Sequence, residues 1–240
     1  MGRAYEVRKA SIQKTGAIKA KTYSLFSKEI YQAARSGISE VDSNAALKRL
    51  VEKAKRNQVP NDIIKRAIDK AKGAGTDDYK EVIYEGFGPG ASTLIIKCLT
   101  DNVNRTVGMV RAAFNKVDKS LGVTNSVSYN YDHLAITSFE SSLEEEILEA
   151  IILAEVEPID FEVEEGFITI STTPSDHNKT KDAVETVIEN VLYEVDEVGM
   201  YPKEKVILNE EDLIMFKRLY TLLDDIEDVV EVYHNVENEI

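Results

Sequence analysis

The sequence predicts an α+β protein in which an N-terminal three-helix domain precedes two α/β domains, the third domain being inserted into the second. Three observations carry that expectation. Basic and acidic residues are segregated along the chain. Residues 22–72 show helical spacing alone, whereas strand-like and helix-like segments alternate from about residue 81 onward. An αβ pair follows a complete βαββαβ unit at the C-terminal end, and the earlier α/β segment lacks such a pair.

Composition sets the bounds. The chain has 240 residues and 26.9 kDa, with 43% apolar and 30% charged side chains, which suits one to three small globular domains. No run of 18 apolar residues exists, so no membrane span is expected. Met1 to Lys21 lacks the apolar core of a secretory signal, although its low acid content resembles that of a mitochondrial transit peptide. A single cysteine, Cys98, excludes an intrachain disulfide framework and fits a reducing, cytoplasmic setting.

The net charge of −14 hides a partition. Residues 1–72 carry 17 basic and 7 acidic side chains, a net +10, while the remaining 168 carry 12 and 36, a net −24. Within the latter, residues 137–206 stand at −15 and residues 207–240 at −8. A shift of this size points to separate bodies, the basic one suited to a polyanion. Mutual attraction of basic and acidic domains is the plainer account.

The first helix is expected near Thr22 to Ser36, with Tyr23, Phe26, Ile30, Ala33 and Ala34 at core spacing. The second follows Asp42-Ser43 and ends near Asn57, with Leu47, Leu50, Val51 and Ala54 on one side. Lys48, Arg49, Lys53, Lys55 and Arg56 lie across the other side. The third begins at Pro60-Asn61-Asp62 and stops at Gly73, burying Ile63, Ile64, Ala67, Ile68 and Ala71. Lys65, Arg66, Lys70 and Lys72 face away. Ahead of the bundle, Arg3, Arg8, Lys9, Lys14, Lys19 and Lys21 share a polar segment with one acid, Glu6, and read as a mobile basic arm. A helix-turn-helix reading of helices two and three leaves only Asn61 and Arg66 as good base readers, so an ordinary three-helix bundle is favoured and the basic faces suit backbone contact.

Gly73 to Asp78 reads as a linker. Strands are expected at Glu81 to Phe87 and Ser92 to Leu99 around a Gly88-Pro89-Gly90-Ala91 turn. A helix with Val103, Val107, Val110, Phe114 and Val117 on one side comes next, and then a strand from Ser126 to Asp132. A second unit then runs through a strand at Leu134 to Phe139, a helix at Leu143 to Ala154, a hairpin turning at Glu165-Gly166, a helix at Ser175 to Val191 and a strand at Tyr193 to Met200. That βαββαβ order is the ferredoxin-like pattern. A helix at Asn209 to Leu223 and a strand at Val229 to Val236 close the chain. The expected domains are therefore 1–76, a basic helical domain; 77–134 with 207–240, an α/β domain; and 135–206, an inserted acidic ferredoxin-like domain. The fold class is α+β, with two ferredoxin-like α/β domains after the three helices.

Chemistry-bearing motifs are few. Gly86-Phe87-Gly88-Pro89-Gly90 lacks the Lys-Ser/Thr ending of a nucleotide loop and reads as a glycine hairpin. His133, His177 and His234 are far apart, no metal-ligand spacing occurs, and no nucleophile motif is present. The Glu144-Glu145-Glu146 and Asp224-Asp225 runs read as solvated helix faces. No enzyme activity, cofactor or metal is expected. Thr100 to Thr106 stands out: Asp101 or Asn102 is the N-cap, yet Arg105 occupies a first turn where the helix dipole disfavours a cation. Asn104, Arg105 and Thr106 with free N–H groups suit a phosphate. A salt bridge from Arg105 to Asp101 is the alternative.

These residues resemble those of the YebC/PmpR family, which includes the mitochondrial translational activator of cytochrome oxidase. The matching pieces are Met1-Gly2-Arg3, Lys28-Glu29-Ile30 with Ala33-Ala34, Asn44 with Leu47, Ala54-Lys55 through Val59-Pro60, and Arg66-Ala67-Ile68. Tyr84 to Gly90, Thr100 to Thr106, Asp228-Val229-Val230 and Val232 to Val236 match as well. The resemblance implies a helical domain and two α/β domains, the third inserted into the second, in a cytoplasmic regulator of gene expression that binds DNA. Its alternative implication is a ribosome- or rRNA-associated translation factor that aids synthesis of difficult sequences such as proline runs. Three departures stand out: Tyr5 near a usual Trp, Asp118-Lys119 at a usual glycine pair, and Ala91 at a frequent Gly.

Overall fold

A computed structural model describes residues 19–73 and 79–240; the side chains of Lys19, Ala20 and Lys21 lie outside that description. The described residues form two compact units. One runs from the first helix through Val127 and resumes at Lys205–Ile240; the other is Ser128–Glu204.

The helical part of the first unit comprises α1 (Lys19–Ser36), α2 (Ala45–Arg56) and α3 (Asn61–Lys72). Phe26, Ile30, Tyr31 and Ala34 of α1 are buried with Leu47, Val51, Ala54, Val59, Ile64, Ala67 and Ile68. Local chemistry sets the helix ends. Asn44 caps α2 by accepting from the Leu47 N–H at 3.0 Å, and its amide donates to Ala33 O and Ile38 O, so one side chain also stitches the α1 exit. At the far end Gln58 takes φ 58°, Val59 N–H returns to Ala54 O at 3.0 Å and Gln58 N–H to Lys55 O at 2.9 Å. This is a Schellman ending with buried Val59 as its apolar contact, an ordinary helix-pair turn.

The α/β part begins with β1 (Lys80–Phe87) and β2 (Thr93–Thr100), an antiparallel hairpin with Tyr84 opposite Ile96. Helix α4 (Val103–Asn115) follows, and beyond Lys205 come α7 (Glu210–Asp224) and β7 (Val229–His234). Strand β7 pairs with β2, which gives the order β1-β2-β7. Leu94, Ile96 and Cys98 bury against Val110 and Phe114 of α4 and Phe216, Leu219 and Leu223 of α7. Gly86 permits this closeness, because a Cβ there would stand 2.6 Å from the Phe114 ring.

The strand expected over Ser126–Asp132 is not formed. Ser128–Asn130 is a 3-10 turn, and the strand begins only at Tyr131. The cause is a carboxylate: Glu85, buried on β1, accepts from the N–H groups of Asn125 and Val127, both at 2.8 Å. A side chain thus takes the place of ladder partners. Beyond α4, Asp118 takes the left-handed φ of 53°.

In the second unit, β3 (Tyr131–Glu140), α5 (Glu144–Leu153), β4 (Asp160–Glu164), β5 (Phe167–Thr172), α6 (His177–Val187) and β6 (Tyr193–Pro202) form an antiparallel sheet of order β4-β5-β3-β6. That is the ferredoxin-like order. Glu165 and Gly166 at φ 53° and 82° make the hairpin turn, and α6 ends four residues earlier than its apolar pattern suggests, at the extended Ile188. Phe139, Ile147, Ile151, Ile168, Ile170 and Val184 form the core between sheet and helices. Among the described residues no helix is long and apolar enough to cross a membrane.

Candidate nucleic-acid interface

The basic faces of α2 and α3 are external. Lys48, Lys55, Arg56, Lys65 and Arg66 are exposed and Arg49 is half-buried, while Leu47, Val51, Ala54, Ile64 and Ile68 point inward. Lys48 and Lys55 are two turns apart and share a face. Arg66 is turned back along α3: its guanidinium pairs with Asp62, and Nε donates to Asp62 O at 3.2 Å. That engagement, with the plain turn between α2 and α3, weighs against base reading by helix three. Arg3, Arg8, Lys9 and Lys14 of the expected arm lie outside the described residues. Lys19 and Lys21 belong to the first turn of α1, which starts three residues earlier than expected.

The strand-to-helix junction at residues 100–106 is organised around a capped helix start and ion pairs. Asn102 is the N-cap of α4, accepting from Arg105 N–H at 3.1 Å. Asn104 is exposed. The Arg105 guanidinium is held by two carboxylates through Nη2, Asp101 Oδ1 and Asp228 Oδ2, each at 2.8 Å. The salt-bridge alternative therefore describes Arg105, with a second partner that sequence spacing did not reveal.

Asp228 is the centre of this cluster. Its side chain is 5% exposed, and its oxygens lie 2.8 Å from the Thr106 hydroxyl, 3.2 Å from that of Thr100 and 3.4 Å from Lys28 Nζ. Lys28, itself buried on α1, also donates to Glu227 O at 3.1 Å. Burial alone would raise the Asp228 carboxyl, but hydrogen bonds from Arg105 and Thr106 and the charges of Lys28 and Arg105 hold it below its ordinary value. Next to it a cleft of about 760 Å³ mixes Lys28, Arg105 and Lys116 with Asp101, Asp225 and Glu227. With Asp228 also lining it, carboxylates outnumber cations four to three, which gives no preference for an anion. Lys28 and Asp228 both fall in segments that carried the family resemblance, and that was the signal available for them.

Elsewhere, the glycines 86–90 form the hairpin turn, with Gly88 N–H on Ser92 O at 2.9 Å. In the inserted unit His177 Nε2 and Lys181 Nζ lie 2.9 and 2.6 Å from the two oxygens of Asp196, fastening α6 to β6. Burial would push Asp196 up, but those two partners hold it well down. Among the described residues no group of His, Cys, Asp and Glu could hold a metal ion.

Residues 3–74 match the model for the TACO1/YebC protein N-terminal domain, and residues 79–236 match that for the TACO1/YebC second and third domain. The chain belongs to the TACO1/YebC family. A TACO1/YebC relative from Marinobacter nauticus is 44% identical over 99% of this chain and 98% of its own. One from Hydrogenovibrio crunogenus is 47% identical over 99% and 100%. Both are named "Probable transcriptional regulatory protein". The crystal structure of a conserved hypothetical protein from Aquifex aeolicus shares the fold, with a TM-score of 0.74 and 31% identity over 94% of each chain.

Proposed function

We propose that the protein is a non-enzymatic, nucleic-acid-binding regulator of gene expression that holds the phosphate backbone with its basic helical domain. The observation that carries this is the orientation of charge: α2 and α3 carry nine basic side chains against three acidic ones, none of the nine buried, on the faces opposite the apolar core. The names of the TACO1/YebC relatives support the regulator reading. The proposed contact surface comprises Lys48, Arg49, Lys55, Arg56, Lys65 and Arg66 with the N-terminal Arg3, Arg8, Lys9, Lys14, Lys19 and Lys21. Arg105 is left out, because its guanidinium is already held between two carboxylates, while the exposed Asn104 remains a candidate. In this reading residues 1–76 form the binding domain, 77–134 with 207–240 support it, and 135–206 are an acidic insertion.

The test is equilibrium binding of the full chain to several duplex DNA sequences and to an rRNA fragment across a salt series. The comparison protein carries Lys48→Gln, Lys55→Gln and Lys65→Gln together. Loss of three phosphate contacts lowers the log–log salt slope on duplex DNA by roughly 2–3 and weakens all sequences alike. Equal binding by variant and wild type refutes the proposal. A loss confined to one sequence replaces backbone contact with base reading, and tighter binding to the rRNA fragment makes RNA the target.

A further inference from the structure

Helix α5 of the inserted unit has an apolar face that its own domain does not use. Ile147 and Ile151 fill the core against the sheet. On the adjoining side Leu148 and Ile152 stand one turn apart, 37% and 63% exposed, and Leu153, 76% exposed, lies about 100° further round at the helix end. One apolar stripe suffices to seat a helix on a sheet, so a second stripe of large aliphatic side chains in water has no role within the domain. Within its own unit the stripe stays open to solvent.

The stripe is set among carboxylates. Glu144, Glu145, Glu146 and Glu149 on the helix, and Glu155 and Glu157 just beyond it, are all exposed. No Lys or Arg occurs between Lys119 and Lys179. The helix dipole accounts for acids in the first turn, at Glu144 to Glu146, but not for Glu149, Glu155 or Glu157. An apolar strip flanked by exposed carboxylates of its own helix selects its partner by charge as well as by shape.

We propose that this face of α5 docks a basic amphipathic protein segment, a helix with large aliphatic residues on one side and Lys or Arg along its flanks. Leu148, Ile152 and Leu153 supply the apolar contact, and the glutamates pair with the flanking cations. The same carboxylates repel nucleic acid and anionic lipid. This surface is independent of the nucleic-acid reading, which uses the helical domain, so either can fail alone.

The experiment uses the full chain and three fluorescent helical peptides: Leu/Lys, Ala/Lys of equal charge, and Leu/Glu. The Leu/Lys peptide binds at least about tenfold more tightly than Ala/Lys, a difference of about 1.4 kcal/mol, and Leu/Glu does not bind. The double variant Ile152→Ser with Leu153→Ser changes only exposed side chains, keeps the wild-type melting curve and loses that tenfold preference. Equal binding of Leu/Lys and Ala/Lys overturns the proposal, as does a preference that survives in the double variant. Sedimentation equilibrium separates the remaining case: a homodimer that Ile152→Ser dissociates makes a second copy the occupant and also overturns it.

Discussion

Lys28 and Asp228 are 200 residues apart in sequence, yet Lys28 Nζ lies 3.4 Å from Asp228 Oδ1 and both side chains are buried. The contact fastens the first basic helix to the residue that leads into the last strand. Asp228 serves α4 at the same time, through Arg105 and Thr106. A charge therefore sits where three elements meet, and it is compensated by two cations and two hydroxyls.

The cluster predicts an asymmetry. Asp228→Ala strips a buried acceptor from Lys28, Arg105, Thr100 and Thr106 and lowers unfolding free energy by roughly 3–5 kcal/mol. Lys28→Met costs less, since Asp228 keeps its three other partners. Urea unfolding of the two single variants and the double variant measures this; equal losses for the singles would contradict it.

Arg105→Ala lowers the melting temperature, because Asp101 and Asp228 both lose a charged donor. Reasoning from the helix dipole alone gives the opposite sign, unchanged or improved stability, and expects nucleic-acid binding to suffer. The paired carboxylates reverse both expectations, so binding stays at the wild-type level. Arg105→Lys is intermediate in stability, as a point charge cannot serve two acceptors as the planar fork does. Thermal melts together with binding isotherms of the three proteins decide the matter.

Acid sensitivity comes with opposite signs from two carboxyls. Asp228 is held below its ordinary value, so its contribution is present above that value and disappears as pH falls through the folded one. Glu29 on α1 is raised, chiefly by burial, against the lowering charges of Lys53 and Lys97. Its contribution is present below its ordinary value and is lost as pH rises. Glu29→Gln thus stabilises the protein at pH 7 and less so as the pH falls, whereas Asp228→Asn is costly at pH 7 and its cost shrinks as the medium is acidified below the ordinary carboxylate value. Denaturant midpoints over that range test both.

Two glycines predict contrasting results. Gly86→Ala places a methyl 2.6 Å from the fully buried Phe114 ring and costs about 1–3 kcal/mol. Gly108, on α4, has nothing within 4 Å of its would-be Cβ, so Gly108→Ala stabilises by about 0.4–1 kcal/mol. Chemical unfolding of both variants checks the pair.

Local chemistry was enough to place most elements from the sequence alone. Asn44, Asn102 and Asn209 cap helices where their side chains can reach the third N–H onward. Hydrophobic periodicity located the three basic helices and the βαββαβ unit, and the charge count picked out their external faces as the candidate interface. Each of these signals acts within a few residues, so one sequence suffices. The strand expected at Ser126–Asp132 and the partners of Arg105 were decided otherwise. Both depended on a carboxylate brought from far along the chain, Glu85 to the N–H groups of Asn125 and Val127, and Asp228 to the Arg105 guanidinium. A buried charge takes whatever donors the fold delivers to it, at separations of 40 to 123 residues. Only the tertiary structure sets which donors those are.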